Sequence, residues 1–130
     1  MLLDDPLWTS ELRGVAAKLP KPKAILIVSA HWESEPVTLS SPEANTPLIY
    51  DFGGFDPKFY RMTYETPEAT WLSEQVSKLM PDNEHVVHAS RGLDHGAWVP
   101  LNRRIEPATF AGCVEMVYWS WKPNNPLVTI

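Results

Sequence analysis

The chain has 130 residues, 44% of them apolar and 21% charged, with a formal net charge of −5 at pH 7. These are the proportions of one globular domain, able to bury roughly two thirds of the surface its unfolded chain exposes, and they exclude disordered and fibrous classes. The acidic balance lacks the basic face that a nucleic-acid backbone or an anionic membrane surface requires, so neither is expected as a partner.

Cys113 is the one cysteine and cannot form an internal disulfide, which fits a reducing compartment. No apolar run approaches the roughly 20 residues of a bilayer span, and no basic leader precedes an apolar stretch at the N-terminus. The expectation is a soluble, cytoplasmic protein. Its 13 prolines are spread along the chain and punctuate elements without forming a linker.

Asp5 followed by Pro6 is a helix start, a capping acceptor and then a residue whose missing N–H costs nothing in the first turn. Trp8, Leu12, Val15 and Leu19 then recur on one helical face, which predicts a helix over 6–19 packed on a sheet. Pro20 and Pro22 end it. Residues 23–34 run Lys-Ala-Ile-Leu-Ile-Val-Ser-Ala-His-Trp-Glu-Ser, an apolar stretch that reads as a central strand buried on both faces, stopping at His31. In open α/β sheets ligands gather beyond the carboxyl ends of strands, so His31, Trp32 and Glu33 stand where a site is expected.

Residues 36–40 read as a short strand and 41–47 as loop. Residues 48–57 interleave Tyr50, Phe52 and Phe55 with Gly53 and Gly54 and end at Pro57; paired glycine and a closing proline make this a loop that presents rings. Two readings stay open for it: a surface loop pinned into the core by its aromatics, or the apolar wall of a pocket for a flat ligand. Alternation over 59–64 suggests another strand. Thr66 and Pro67 repeat the cap-then-proline signal, Ala69, Leu72, Val76 and Leu79 continue it as an amphipathic helix to about Met80, and residues 85–88 form a strand candidate. His85 and His88, three apart in it, point to opposite faces and read as ordinary surface residues. Gly92 and Gly96 bracket Asp94 and His95, so tight or positive-φ backbone is expected to bring His95 forward, with a short helix beginning near Ala97. Residues 114–121 have strand propensity but no clean alternation, and no role is assigned to them.

His31 and His95 share a site on the expectation that both lie where parallel strands end. Two histidines and a carboxylate suit a non-haem iron, and three nitrogen or oxygen ligands hold a catalytic zinc; the carboxylates on offer are Glu33 and Asp94. No phosphate-cradling glycine pattern, zinc-type cysteine pair or nucleophile elbow is present.

Residues 22–33, Ile49-Tyr50-Asp51-Phe52-Gly53-Gly54-Phe55-Asp56 and Arg91-Gly92-Leu93-Asp94-His95-Gly96-Ala97-Trp98-Val99-Pro100-Leu101, in that order and spacing, resemble the class III extradiol ring-cleavage dioxygenases (LigB-type), in particular the DOPA-dioxygenase-like branch. The resemblance covers residues 4–104. It implies a three-layer α/β fold with a mixed or mostly parallel central sheet, and a non-haem site, Fe(II) or Zn(II), that opens a catechol ring with O₂. His31 is then a metal ligand and His95 a catalytic histidine that hydrogen-bonds substrate or oxygen and helps move a proton. Tyr50, Phe52 and Phe55 wall the substrate, and Asp94 orients His95, with Glu33 a further outer carboxylate.

Two departures accompany the match. Members of the family carry an earlier metal histidine ahead of the first helix, and they continue past the Asp-His-Gly motif to further histidines, whereas the likeness here stops near Arg104. The expectation is therefore a partial catalytic domain with an incomplete sheet over 1–104, a divergent segment over 105–130, and little or no activity for the isolated chain. Two other functions stay open: a non-catalytic fragment that self-associates through unpaired sheet edges, and a small α/β zinc hydrolase in which His31, Glu33, Asp94 and His95 form the whole metal site.

Overall fold

The computed structural model describes residues 5–104 and 113–117. Helix α1 (Pro6–Lys18) begins as expected: the Asp5 carboxylate accepts the N–H groups of Leu7 and Trp8, relieving two of the donors a helix start leaves unpaired. Its apolar face stays largely open to solvent. No residue of α1 is buried, Trp8 is 56% exposed, and the helix leans on α3 (His95–Arg104).

Four strands follow, β1 (Ile25–Val28), β2 (Val37–Leu39), β3 (Val86–His88) and β4 (Cys113–Val117), in the sheet order β1-β4-β2-β3. β1 is parallel to β4, β2 is parallel to β3, and β2 meets β4 antiparallel. The sheet is mixed, and β1 runs opposite in sense to β2 and β3. Among the described residues the apolar run therefore supplies an edge strand of four residues and not a central one. Its residues alternate between half-buried and exposed, because only one face is covered.

Register shows which face. Val28 and Leu39 both pair with Met116, and directly paired residues project to the same side, so Leu26, Val28 and Leu39 share one face while Ile25 and Ile27 belong to the other. On the first face α2 (Thr70–Leu79) packs Val76, with Leu72, against Leu39 and Val86. On the second, α3 packs Ala97, Trp98 and Leu101 with Phe59, Tyr64 and Leu93, and Ile25 and Ile27 lie against that cluster. These are the three layers expected of an α/β fold. α2 leaves the β1 end of its face open, so Val28 is 61% exposed.

Three local expectations change. Residues 57–61 form a 3-10 turn, Pro57–Arg61, in place of a strand over 59–64; the Asp56 carboxylate accepts the Lys58 N–H at 2.8 Å and Pro57 presets the first φ. α2 starts at Thr70, three residues after the Pro67 start that the cap signal implied, with Ala69 at the N-cap position and the Glu68 carboxylate, not Thr66, accepting the Thr70 N–H at 2.6 Å. Of the segment without an assigned role, β4 lies between β1 and β2 and joins them. The rest of 105–130 lies outside the described residues.

Candidate functional site

Ser29, one residue beyond β1, carries the joint on which the site is built. Its buried hydroxyl donates to the Asp94 carboxylate, with the two oxygens 2.9 and 2.8 Å away, and accepts the His31 N–H at 3.2 Å. Asp94 is fully buried and also accepts the Ala97 N–H at 3.2 Å, the capping contact of α3, where a carboxylate is favoured by the helix dipole. One hydroxyl thus ties the end of β1 to the start of α3. Residues 89–94 bring the chain back from β3 to reach this point, so the two histidines do not meet at the ends of parallel neighbours, as the sequence suggested.

They do meet. The rings of His31 and His95 lie 4.1 Å apart between centroids, tilted by 42°. Gly96 permits this: a Cβ there would collide with Cδ2 of His31 and stand 2.7 Å from Oγ of Ser29. Gly92 is excluded from growing a side chain in the same way, by the Pro47 carbonyl. Neither takes a positive φ, so the glycines serve close approach and not an unusual turn. α3 accordingly starts at His95, two residues before the expected position.

The carboxylate on the His95 ring is Asp51, where the sequence suggested Asp94. Oδ1 of Asp51 lies 2.7 Å from Nδ1 of His95 and also accepts the His95 backbone N–H at 3.2 Å, with about a quarter of each side chain still accessible. Burial alone would raise the Asp51 carboxyl; the hydrogen bonds from the His95 ring and backbone outweigh it, and the net shift is downward from 3.8. Asp51 was missed because its partner is 44 positions away. The available signal was a carboxylate set between two aromatic residues, Tyr50 and Phe52, in a motif already singled out.

Phe52 is the hub of the aromatic group. It meets the His95 ring edge-on at 5.5 Å, Tyr60 at 4.9 Å and Phe55 at 5.8 Å. Tyr50 sits behind it, with its hydroxyl donating to the Met62 carbonyl and its ring 5.5 Å from Trp98. The indole N–H of Trp98 in turn donates to the Ile49 carbonyl at 3.0 Å. The loop is therefore pinned into the core by Tyr50 while it brings Phe52 to the histidines. Phe55 is 45% exposed at its rim. Glu33 is exposed, and none of the contacts described for the histidine pair involves it. Beside the pair, the Arg91 guanidinium lies 4.2 Å over the Trp32 ring.

A metal requires more than this. Among the described residues no three His, Cys, Asp or Glu side chains are grouped to hold an ion, whereas a catalytic zinc or non-haem iron needs three protein ligands and an open position. The complete zinc site of the hydrolase reading is not formed: Asp94 is committed to Ser29 and the start of α3, and Glu33 stands apart. An apolar groove of about 830 Å³, lined by Leu19, Pro22, Ile25, Leu26, Pro100 and Leu101 among others, opens between α1, β1 and α3 and includes none of the site residues.

Residues 8–108 match the family model described as the catalytic LigB subunit of aromatic ring-opening dioxygenase. The chain belongs to the LigB family. It is 40% identical over 84 residues to a 4,5-DOPA dioxygenase extradiol of Beta vulgaris, covering 62% of this chain and 31% of that protein. It is 34% identical over 98 residues to the protein of the same name in Escherichia coli strain K12, covering 75% and 36%. Among solved structures, the crystal structure of an uncharacterized Escherichia coli K12 protein superposes with a TM-score of 0.66 at 25% identity, over 92% of this chain and 43% of that one. The chain spans about a third of the length of the curated relatives it matches. LigB-family extradiol dioxygenases are non-haem metal enzymes; all three motifs read from the sequence fall within the matched residues, and β4 lies beyond them.

Proposed function

We propose that residues 1–104 form part of the catalytic domain of an extradiol dioxygenase that opens a catechol of the DOPA type with O₂, and that they contribute the His31 and His95 side of its site. The observation that carries this reading is the paired imidazoles at 4.1 Å, one of them held by a carboxylate, inside a LigB-family sequence. His31 offers one imidazole to a divalent ion, iron(II) or zinc(II). His95 hydrogen-bonds the substrate hydroxyl or oxygen and takes or returns a proton, work suited to an imidazole near neutral pH. Phe52 and Phe55 form the aromatic side against which a flat ring stacks, Tyr50 backs Phe52 from the core, and Asp94 holds the backbone of the site in place. The described residues do not complete the ligand set of the ion, and this reading expects weak binding and slow turnover from the isolated chain. The cytoplasm is the proposed compartment, in keeping with a single cysteine.

Anaerobic titration of the purified chain with ferrous iron and with zinc, alongside His31→Ala, tests this, followed by catechol-dependent oxygen uptake. Weak binding that the substitution abolishes is the expected result. Binding indifferent to His31 would remove its role, and uptake as fast as that of a full-length relative would overturn the incompleteness of the site. A second reading, a non-catalytic fragment that self-associates, draws on the edge of β1 that no described strand pairs and on its exposed Leu26 and Val28; sedimentation velocity across a concentration series without metal separates the two.

A further inference from the structure

We infer that Asp51 is a positioning residue of this site: it fixes the ring proton of His95 on Nδ1 and leaves Nε2 as the bare acceptor nitrogen. The inference deepens the dioxygenase reading and rests on it for its purpose, though not for its test.

One oxygen of Asp51 holds two points of the same residue, the backbone N–H of His95 at 3.2 Å and its ring Nδ1 at 2.7 Å. The first contact fixes where the histidine enters α3. The second fixes the rotation of the ring, which would have to give up that bond to turn over. A carboxylate only accepts hydrogen bonds, so a ring nitrogen at 2.7 Å from it must be the donor, and the neutral imidazole then has its lone pair on the other nitrogen. Free neutral imidazole in a histidine side chain prefers the opposite arrangement, with the proton on Nε2, so Asp51 acts against the intrinsic preference. His31 at 4.1 Å and the edge of Phe52 at 5.5 Å hold the ring on two more sides. With Nδ1 committed, Nε2 is the atom left to accept a hydrogen bond from a catechol hydroxyl.

The chain labelled with ¹⁵N at histidine, at mildly alkaline pH, reports the tautomer directly from the two ring-nitrogen shifts. Wild-type His95 is expected to carry its proton on Nδ1 by about tenfold or more, the preference of one charge-assisted hydrogen bond over its absence. Asp51→Ala should return the proton largely to Nε2. Asp51→Asn, whose side-chain oxygen still accepts, should keep part of the Nδ1 preference, a graded response that a role confined to loop packing would not produce. A wild-type proton on Nε2 overturns the inference without any variant. So does an unchanged tautomer in Asp51→Ala, and if that variant does not fold, an Asp51→Asn ring indistinguishable from wild type does so in its place. The readout needs no metal, substrate or turnover, so a chain with the expected tautomer but no metal or catechol chemistry would retain this inference and lose the dioxygenase reading.

Discussion

Adding one methyl group at Gly96 separates the packing account of this site from an account based on helix propensity. Gly96 is the second residue of α3, where exchanging glycine for alanine would by propensity alone stabilise by up to about 1 kcal/mol. Here the new Cβ would run into the His31 ring carbon Cδ2, lie 2.7 Å from Oγ of Ser29 and sit 3.1 Å from Oδ1 of Asp94. Ser29 and Asp94 are buried and bonded to each other, so the His31 ring is the neighbour that moves. Overpacking of this kind costs about 1–3 kcal/mol, which leaves Gly96→Ala destabilised by about 1 kcal/mol after the propensity gain. Gly14→Ala is the matched control, since it lies inside α1 with nothing within 4 Å of the added carbon and should gain about 1 kcal/mol. The two variants should therefore melt on opposite sides of wild type, each displaced by roughly 3–6 °C for a chain of this size. Thermal and urea unfolding measure the stabilities, and the ring resonances of His31 report the displacement. A Gly96→Ala chain as stable as Gly14→Ala, with the His31 ring unmoved, would refute the claim that this glycine exists for contact.

Ser29→Ala removes the hydroxyl that bridges the Asp94 carboxylate and the His31 backbone; a loss of about 1.5–3 kcal/mol is expected from urea unfolding, since the acceptor is a buried carboxylate. Trp98→Phe keeps most of the core volume but deletes the indole N–H that satisfies the Ile49 carbonyl, for about 1–2 kcal/mol by the same assay. Acid should weaken the Asp51–His95 tie in a defined direction. Because the folded Asp51 carboxyl lies below its ordinary value of 3.8, its contribution to stability is complete above that pH and is lost as pH falls through the lower folded value. The stability difference between wild type and Asp51→Asn should accordingly shrink on acidification below 3.8, and urea midpoints at neutral and acid pH check it.

Local chemistry made much of the fold readable. Asp5 and Pro6 start α1 where the sequence places them, and the apolar spacing of Ala69, Leu72, Val76 and Leu79 locates the body and end of α2, though Thr66 and Pro67 placed its start too early. What escaped depended on partners distant in sequence. The run from Ala24 to Val28 is as apolar as a strand covered on both sides; only the extent of α2 leaves one face of it open. The alternation over 59–64 obeys the strand rule, but Asp56 and Pro57 close a tighter turn first. At the site, the two histidines and the aromatic loop were visible as motifs, while the exchange of roles between Asp94 and Asp51 was not. Asp94 even adjoins His95 in sequence while Asp51 lies between Tyr50 and Phe52, and the choice between them is made by Ser29, which claims Asp94 for the joint between β1 and α3. The opposed directions of β1 and β3 are likewise a property of the sheet, set by β4, and nothing in residues 25–28 or 86–88 announces them.

The position of β4 also bears on how the chain is made. β2 and β3 can pair as soon as residue 88 has emerged, but Ile25 waits for Cys113, 88 positions later, before it gains its described strand partner. Pairings of such sequence separation form slowly, because loop closure must precede any gain from the contact. During synthesis the backbone edge of β1 thus waits for β4 while β2 and β3 have already emerged. Chaperone occupancy of nascent chains should be greatest in that interval and fall once residue 117 is released, when the backbone edge of β1 gains β4 as its partner.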